Sequence, residues 1–294
     1  MPDEDPRIDR LTPEEAFALV SDETRFAVLR ALQAADDPLS FSELRDRAGV
    51  DDPGRFNYHL GELTDQFVAK TDEGYAVTPP GERLVGAVLA GGYTAALDAD
   101  PVSVDGECLN CGGSLVARFR DQGVTIDCED CEAMFTNPQV PAGLVADQPV
   151  EDAPAVVGRW NRVVAAAVDA GICLNCYGPL DRRLYFTTDD DAPEWVAESD
   201  LLGMVYHDCQ RCGHAYNAAV QLAVLSHPKV AAYHDDHGID VRTTPAWEIP
   251  WLEVGRGTVE SMDPVRIVLP IPLGDETRTF VFDGDLDVLE VRTE

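Results

Sequence analysis

The eight cysteines are the residues best placed to do chemistry, and they fall into two matched sets. Cys108-Leu109-Asn110-Cys111 is followed, after sixteen intervening residues, by Cys128-Glu129-Asp130-Cys131. Cys173-Leu174-Asn175-Cys176 is followed, after thirty-two, by Cys209-Gln210-Arg211-Cys212. A Cys-x-x-Cys turn presents two thiolates from one knuckle, and four thiolates at ~2.3 Å complete a closed tetrahedron around zinc. The repeat extends beyond the ligands, because residues 106–115 and 171–180 share the pattern G-x-C-L-N-C-x-G-x-L. No cysteine is left over, so the spacing predicts two zinc-ribbon units holding two structural zinc ions. Quartets that exchange ligands with each other fit the spacing equally well, and a thiol redox pair is the competing chemistry. A catalytic zinc keeps an open position for water, which nothing in these motifs suggests.

A second group lies in Gly54-Arg55-Phe56-Asn57-Tyr58-His59-Leu60. Phe56, Leu60, Leu63 and Phe67 fall at i, i+4, i+7 and i+11, one face of a helical period. Arg55, Tyr58, His59 and Glu62 are assigned to the opposite face, with Asn57 on its flank. Such side chains donate to phosphates and base edges. With Arg45 in the preceding helix and Lys70 in the following hairpin, they are candidate contacts to double-stranded DNA. His207, His214, His234 and His237 could be read as a further metal site. His234 and His237 share a helix face, but no carboxylate motif follows them, and surface or hydrogen-bonded roles are expected.

The elements that position these groups can be read from caps and periodicity. Ser40 or Ser42 caps a helix with Leu44 and Ala48 inward, and Gly49 supplies the positive φ of a sharp exit. Asp52 caps the next helix, with Pro53 in its first turn. Residues 68–71 and 75–78 alternate around Asp72-Glu73-Gly74, a hairpin signal. Helix, turn, helix and hairpin make a winged helix-turn-helix, whose second helix suits a DNA major groove. Ahead of it, Thr12-Pro13-Glu14-Glu15 is a capping box, opening a helix with Ala16, Phe17 and Val20. Another helix begins near Asp22 and offers Val28, Leu29 and Leu32 to a core. Behind it, Thr78-Pro79 opens a helix through Leu84, Val85, Val88 and Leu89. Gly86, Ala87 and Ala90 there suit either a homodimer contact or packing against the chain's own core.

Further on, residues 115–120 and 124–127 read as strands around Asp121-Gln122-Gly123. Residues 156–170 read as a helix with Trp160, Val163, Val164 and Ala167 as its apolar stripe. Residues 216–225 read as helical, and another helix runs from Pro228 to Gly238. Trp247 and Trp251 are expected in a core, and residues 265–271, 277–282 and 286–291 form an antiparallel meander. The fold class is α+β. Residues 1–10 are a polar lead-in, 11–97 the winged helix-turn-helix domain and 98–106 a linker. Residues 107–294 are the duplicated zinc-ribbon region with its helices and strands.

The formal charge is −32, and only Lys70 and Lys229 are lysines among 22 basic residues. Such acidity with few lysines is similar to the proteins of salt-accumulating archaeal halophiles. Acidity opposes DNA binding, which counterion release from basic contacts drives. At about 1 M salt, however, the Debye length is ~3 Å, and short contacts decide. Residues 1–100 hold nine basic and twenty-one acidic side chains, whereas residues 40–60 hold three and four. The N-terminus lacks the apolar segment of a secretory signal, and no run reaches the ~20 apolar residues of a membrane span. A cytoplasmic protein without membrane association is expected, with its thiols reduced and free to bind metal.

AFALVSDETRFAVLRAL, FSELRDRAGV, GRFNYHLGELTDQFV and GYAVTPPGERL, in that order, resemble the ArsR-type winged-helix regulators, especially those of halophilic archaea. The likeness covers residues from about 12 to 95 and implies a transcriptional regulator whose winged helix reads promoter DNA. That family's cysteine-containing metal-sensing motif is missing, since residues 1–103 hold no cysteine, so release by a metal at that site is not expected. Residues from about 105 onward resemble an uncharacterised region found beside winged helices in halophilic archaeal proteins, which brings no activity with it. Sensing, dimerisation and partner binding all fit that region. The alternative is a basal factor docking on the transcription machinery, since archaeal transcription factor E also joins a winged helix to a zinc ribbon. No nucleophile elbow, phosphate loop or zinc-protease motif is present, so an enzyme is not expected.

Overall fold

A computed structural model describes residues 11–92, 97–120, 123–131, 133–136, 140–253 and 255–293. The expected lead-in, residues 1–10, and most of the Asp121-Gln122-Gly123 turn lie outside the described residues. The chain is α+β and divides into two units, Met1–Ala95 and Ala96–Glu294. Among the described residues no helix is long and apolar enough to cross a membrane.

The first unit runs α1 (Pro13–Val20), α2 (Glu23–Gln33), α3 (Phe41–Arg47), α4 (Pro53–Leu63), β1 (Val68–Lys70), β2 (Tyr75–Val77) and α5 (Pro79–Leu89). Local chemistry sets the helix starts. Thr12 and Ser40 each close a capping box, with Glu15 and Glu43, and Asp22, Asp52 and Thr78 cap α2, α4 and α5. Gly49, at φ 70°, turns the chain between α3 and α4, a conformation costly for any residue with a Cβ. Val28, Leu29, Leu44, Phe56, Leu60 and Leu63 make the core. The β1–β2 hairpin pairs Val68 with Val77, and Leu39 bonds Tyr75 alongside it. Phe17 and Leu89 stand 72 % and 62 % exposed, so Phe17 does not serve the core as its helix position suggests.

Among its described residues the second unit holds two three-stranded antiparallel sheets and one of four strands. The first sheet is β3 (Val102–Glu107), β4 (Ser114–Arg120) and β5 (Gly123–Cys128). After it comes α6 (Ala153–Asp169). The second sheet is β6 (Leu180–Tyr185), β7 (Met204–Cys209) and β8 (Ala215–Ala219), with α7 (Glu194–Ala197) between its first two strands. Then follow α8 (Val220–Ala223), α9 (Pro228–Asp235) and the meander β9 (Thr258–Met262), β10 (Val265–Leu273), β11 (Glu276–Phe282) and β12 (Val288–Thr293).

Three features differ from the sequence reading. The stretch expected to be a linker, 98–106, contributes β3, whose Val102 and Val104 pair with Ala117 and Leu115. Residues 216–219, the start of the stretch expected to be helical, fall in β8, because pairing with β7 across the sheet overrides their local preference. On α6, Val156 and Val157 are buried and Trp160, Val164 and Val168 partly buried, while Val163 is half exposed. Its first half packs with Ile126 and Leu115 under the first sheet, and its second half packs with Cys173, Cys209 and Tyr216 of the second. Trp247 enters the first sheet's core, and Trp251 enters a larger core built on Ile267, Leu269 and Phe280.

Candidate metal centres and nucleic-acid interface

Each quartet is assembled from its own two knuckles. Cys108, Cys111, Cys128 and Cys131 lie with all four sulfurs within 4.8 Å of one another, and so do Cys173, Cys176, Cys209 and Cys212. Ligand exchange between quartets is thereby excluded, and among the described residues no histidine joins a metal cluster. In the first knuckle the Cys108 amide donates to Gly113 O at 2.8 Å and the Gly112 amide to Cys108 O at 2.8 Å. Its counterpart repeats the turn, with Tyr177 N to Cys173 O at 2.7 Å and Cys173 N to Gly178 O at 3.0 Å. Both turns need a left-handed residue, which is Gly112 at φ 74° in one and Tyr177 at φ 58° in the other.

The sulfur spacing is that of a metal cage. Sulfur pairs lie 3.6 and 3.5 Å apart in the first quartet and 3.8 and 3.4 Å apart in the second. A tetrahedron with ~2.3 Å metal–sulfur bonds has edges of about 3.8 Å, whereas a disulfide needs ~2.05 Å. The donor set therefore fits a divalent, thiophilic ion. Backbone amides also face the sulfurs, from Asn110 to Cys108 at 3.4 Å, Asp130 to Cys128 at 3.3 Å and Arg211 to Cys209 at 3.4 Å.

The thiols are not equivalent. Burial opposes ionisation of Cys128, yet hydrogen bonds from the Cys131 and Asp130 amides and the neighbouring thiols bring it down to about 7. The Gly113 amide favours the Cys111 thiolate, but the surrounding sulfurs push it up to about 12. Burial and the Cys209 and Cys212 sulfurs push Cys176 up to about 12. Adjacent thiolates repel, so four can ionise together only around a cation. In the second quartet Tyr216 Oη lies 3.6 Å from Cys173 Sγ and accepts the Leu174 amide at 3.0 Å.

Three of the four histidines read as a possible metal site have structural partners. His234 is fully buried, with Nδ1 2.8 Å from Val230 O and Nε2 2.7 Å from Trp251 Nε1. An indole N–H only donates, so Nε2 accepts and Nδ1 carries the proton. His237 Nδ1 lies 2.8 Å from Tyr233 O, and His214 packs edge-on against Tyr216.

Of the expected DNA contacts, Asn57 and Tyr58 are exposed on α4, and Lys70 is exposed on β1 with its ammonium 6.0 Å from the Tyr75 ring. Arg55 is exposed while its Nη2 donates to Thr24 Oγ1 at 3.3 Å. Arg45 is half-buried, with Nη2 2.8 Å from Asp46 Oδ1. His59 is a correction. It is 7 % exposed and its Nδ1 sits 3.5 Å from Asp22 Oδ1. Position 59 lies three residues after Phe56 and four before Leu63, so it shares their inward face. Asp22 and Thr24, the partners of His59 and Arg55, come from the start of α2, more than thirty residues away. Nothing local in the sequence marks them.

Residues 105–288 match the family described as Domain of unknown function (DUF7351), and residues 13–88 match a second, described as Domain of unknown function (DUF7347). No curated protein and no solved structure matches the chain.

Proposed function

The chain belongs to the DUF7351 family, and we propose from its own chemistry that it is a DNA-binding transcriptional regulator. In this reading the first unit is an ArsR-like winged helix-turn-helix, and zinc fills both cysteine quartets. One observation carries the DNA reading. The outer side of α4 presents Arg55, Asn57 and Tyr58, while Phe56, Leu60 and Leu63 bury its inner side. Asp52 caps that helix, no acidic residue occupies its first turn, and Gly49 turns the chain into it from α3. Asn57 can pair with an adenine edge and Arg55 with guanine or phosphate. Lys70, on the hairpin, suits a neighbouring phosphate. His59 has no part in this interface.

Phe17 and Leu89 offer apolar surface for a second copy of the first unit. The zinc assignment is supported by all-sulfur quartets whose spacing fits a tetrahedron. Bound metal there would supply folding free energy to two small modules.

Arg55→Ala combined with Asn57→Ala should abolish specific retardation of the protein's own promoter fragment in molar KCl, each base contact being worth about 1–3 kcal/mol. Unchanged retardation by a folded double variant would rule out α4 as the reading helix. Mass spectrometry under native conditions should find two zinc ions per chain, and one or none would break the two-quartet assignment.

A further inference from the structure

The two quartets differ in what surrounds their sulfurs. In the first, Cys111 and Cys131 are exposed while Cys108 and Cys128 are buried; in the second, only Cys212 is exposed. Equivalent positions around the two cages also carry different side chains. The third residue of the closing Cys-x-x-Cys is Asp130 in one and Arg211 in the other. The Asp130 carboxylate lies where a Cβ on Gly113 would stand. Arg211 lies against Gly178 at the matching place, and its Nη1 donates to Cys176 O at 2.9 Å. Four places beyond the last cysteine stands Phe135 in the first module and Tyr216 in the second.

These differences bear on thiolate reactivity. Tyr216 Oη accepts the Leu174 amide and so has its own hydrogen free for Cys173 Sγ at 3.6 Å, and Asn175 Nδ2 donates to Cys212 Sγ at 3.6 Å. Phe135 has no hydroxyl. Among the described residues no side chain outside the first quartet donates to its sulfurs, which meet backbone amides and one another. Four thiolates around a divalent ion leave a net negative centre, which cations and hydrogen-bond donors stabilise and carboxylates destabilise. Glu129, Asp130 and Glu132 adjoin the first closing pair in sequence, whereas Gln210 and Arg211 lie within the second. The first quartet's sulfurs therefore keep more of their nucleophilicity, and two of them face solvent.

We infer that the first quartet is an oxidant-responsive site whose exposed thiolates react with a hydroperoxide, while the second quartet is purely structural. The Cys111 thiolate attacks one oxygen of hydrogen peroxide, the O–O bond breaks, and the departing hydroxide takes a proton to become water. Cys128 Sγ, 3.5 Å away, then attacks the sulfenic sulfur; the S–O bond breaks and a second hydroxide leaves as water. Two thiolates are thereby oxidised to a disulfide as the peroxide is reduced. Cys131 has Cys108 Sγ at 3.6 Å for the same sequence of steps. Losing two ligands opens the cage, yet β5, buried along its whole length, still packs with Val104 and Leu115. The module keeps its shape, and a thiol reductant can reverse the change. The inference rests on the metal assignment of the quartets and not on the DNA reading.

The test treats the full-length, zinc-loaded protein with hydrogen peroxide in the absence of DNA. Alkylation with peptide mass mapping follows the thiols, and native mass spectrometry counts the metals. Disulfides joining Cys111 to Cys128 and Cys108 to Cys131 should form at least about tenfold faster than any disulfide of the second quartet, the usual worth of a hydrogen bond to a charged group. A species with a single metal should accumulate, and dithiothreitol with zinc should restore the starting mass. Asp130→Arg should slow oxidation of the first quartet, and Arg211→Asp combined with Tyr216→Phe should hasten that of the second. Should a variant fail to load metal, the comparison of the two quartets in the wild-type chain decides. Equal rates, earlier oxidation of the second quartet, or a metal-loaded Asp130→Arg oxidising at the wild-type rate overturns the inference. The metal count before peroxide reports the zinc assignment by itself, while the order of thiol loss reads this inference, so the two can fail separately.

Discussion

The two cysteine modules share Cys-x-x-Cys knuckles, knuckle turns and a three-stranded antiparallel sheet, yet they are supported differently. In the first, every residue of β5 is buried, and Val104, Leu115, Ala117, Val124 and Ile126 form a continuous core with α6 and Trp247. At the cysteine end of the second, the buried cluster is only Cys173, Cys209 and Tyr216, edged by Val164, Val168, Cys176 and Leu180. Its strands gain apolar burial at their far end, where Val205 and the neighbouring Phe186 enter the larger core. Near-identical motifs thus rest on unequal amounts of apolar burial. The module with less should lean harder on its metal.

The largest expected effect comes from removing one ligand in each module. Cys128→Ser and Cys209→Ser should each cost one metal ion, whose binding in structural sites is worth on the order of 10 kcal/mol. Hydrogen exchange should then become fast through β6, the cysteine end of β7 and β8 in Cys209→Ser. In Cys128→Ser the β4–β5 pairing should stay protected by its core. Equal deprotection in the two variants would break the comparison.

A smaller effect tests the left-handed position after each opening knuckle, glycine in one module and tyrosine in the other. Gly112→Ala should destabilise the first module by about 1–2 kcal/mol, the cost of a Cβ in that conformation. Tyr177→Gly should relieve the same strain in the second, but glycine returns about 0.5–1 kcal/mol of backbone entropy, so the net gain is small. Thermal midpoints of the metal-loaded variants measure both.

The smallest effect lies in the larger core and appears only in mild acid. Burial holds His234 below its ordinary value, although its bond to the Val230 carbonyl opposes this. The unfolded chain therefore takes up a proton near pH 6.5 while the folded chain does not. Stability from this group is complete above about pH 6.5 and is lost as pH falls toward the lower folded value. His234→Gln can keep both hydrogen bonds without titrating. Its guanidinium midpoint should fall less than that of the wild type between about pH 7 and 5.5. Parallel curves would remove His234 from the account.

Short-range chemistry was the legible part of this chain. The cysteine quartets could be read because Cys-x-x-Cys fixes two ligands within one turn, and the helix starts because each cap bonds within three residues. Position 59 differs from the sequence reading because its spacing from Phe56 and Leu63 puts it on their inward face, where it packs beside Asp22. Residues 216–219 read as helical on their own, and pairing with β7 makes them a strand. Ligand exchange between quartets was undecidable from spacing, since separation along the chain does not fix which knuckles meet.

The helix that underlies both sheets has a consequence for metal loading. With Val156 and Trp160 seated beneath one module and Val164 and Val168 beneath the other, α6 cannot settle against either without orienting the surface offered to its neighbour. An ion captured by one quartet would spare the other part of its ordering cost. The two uptake events would then be cooperative, and by thermodynamic reciprocity the enhancement is the same whichever quartet fills first.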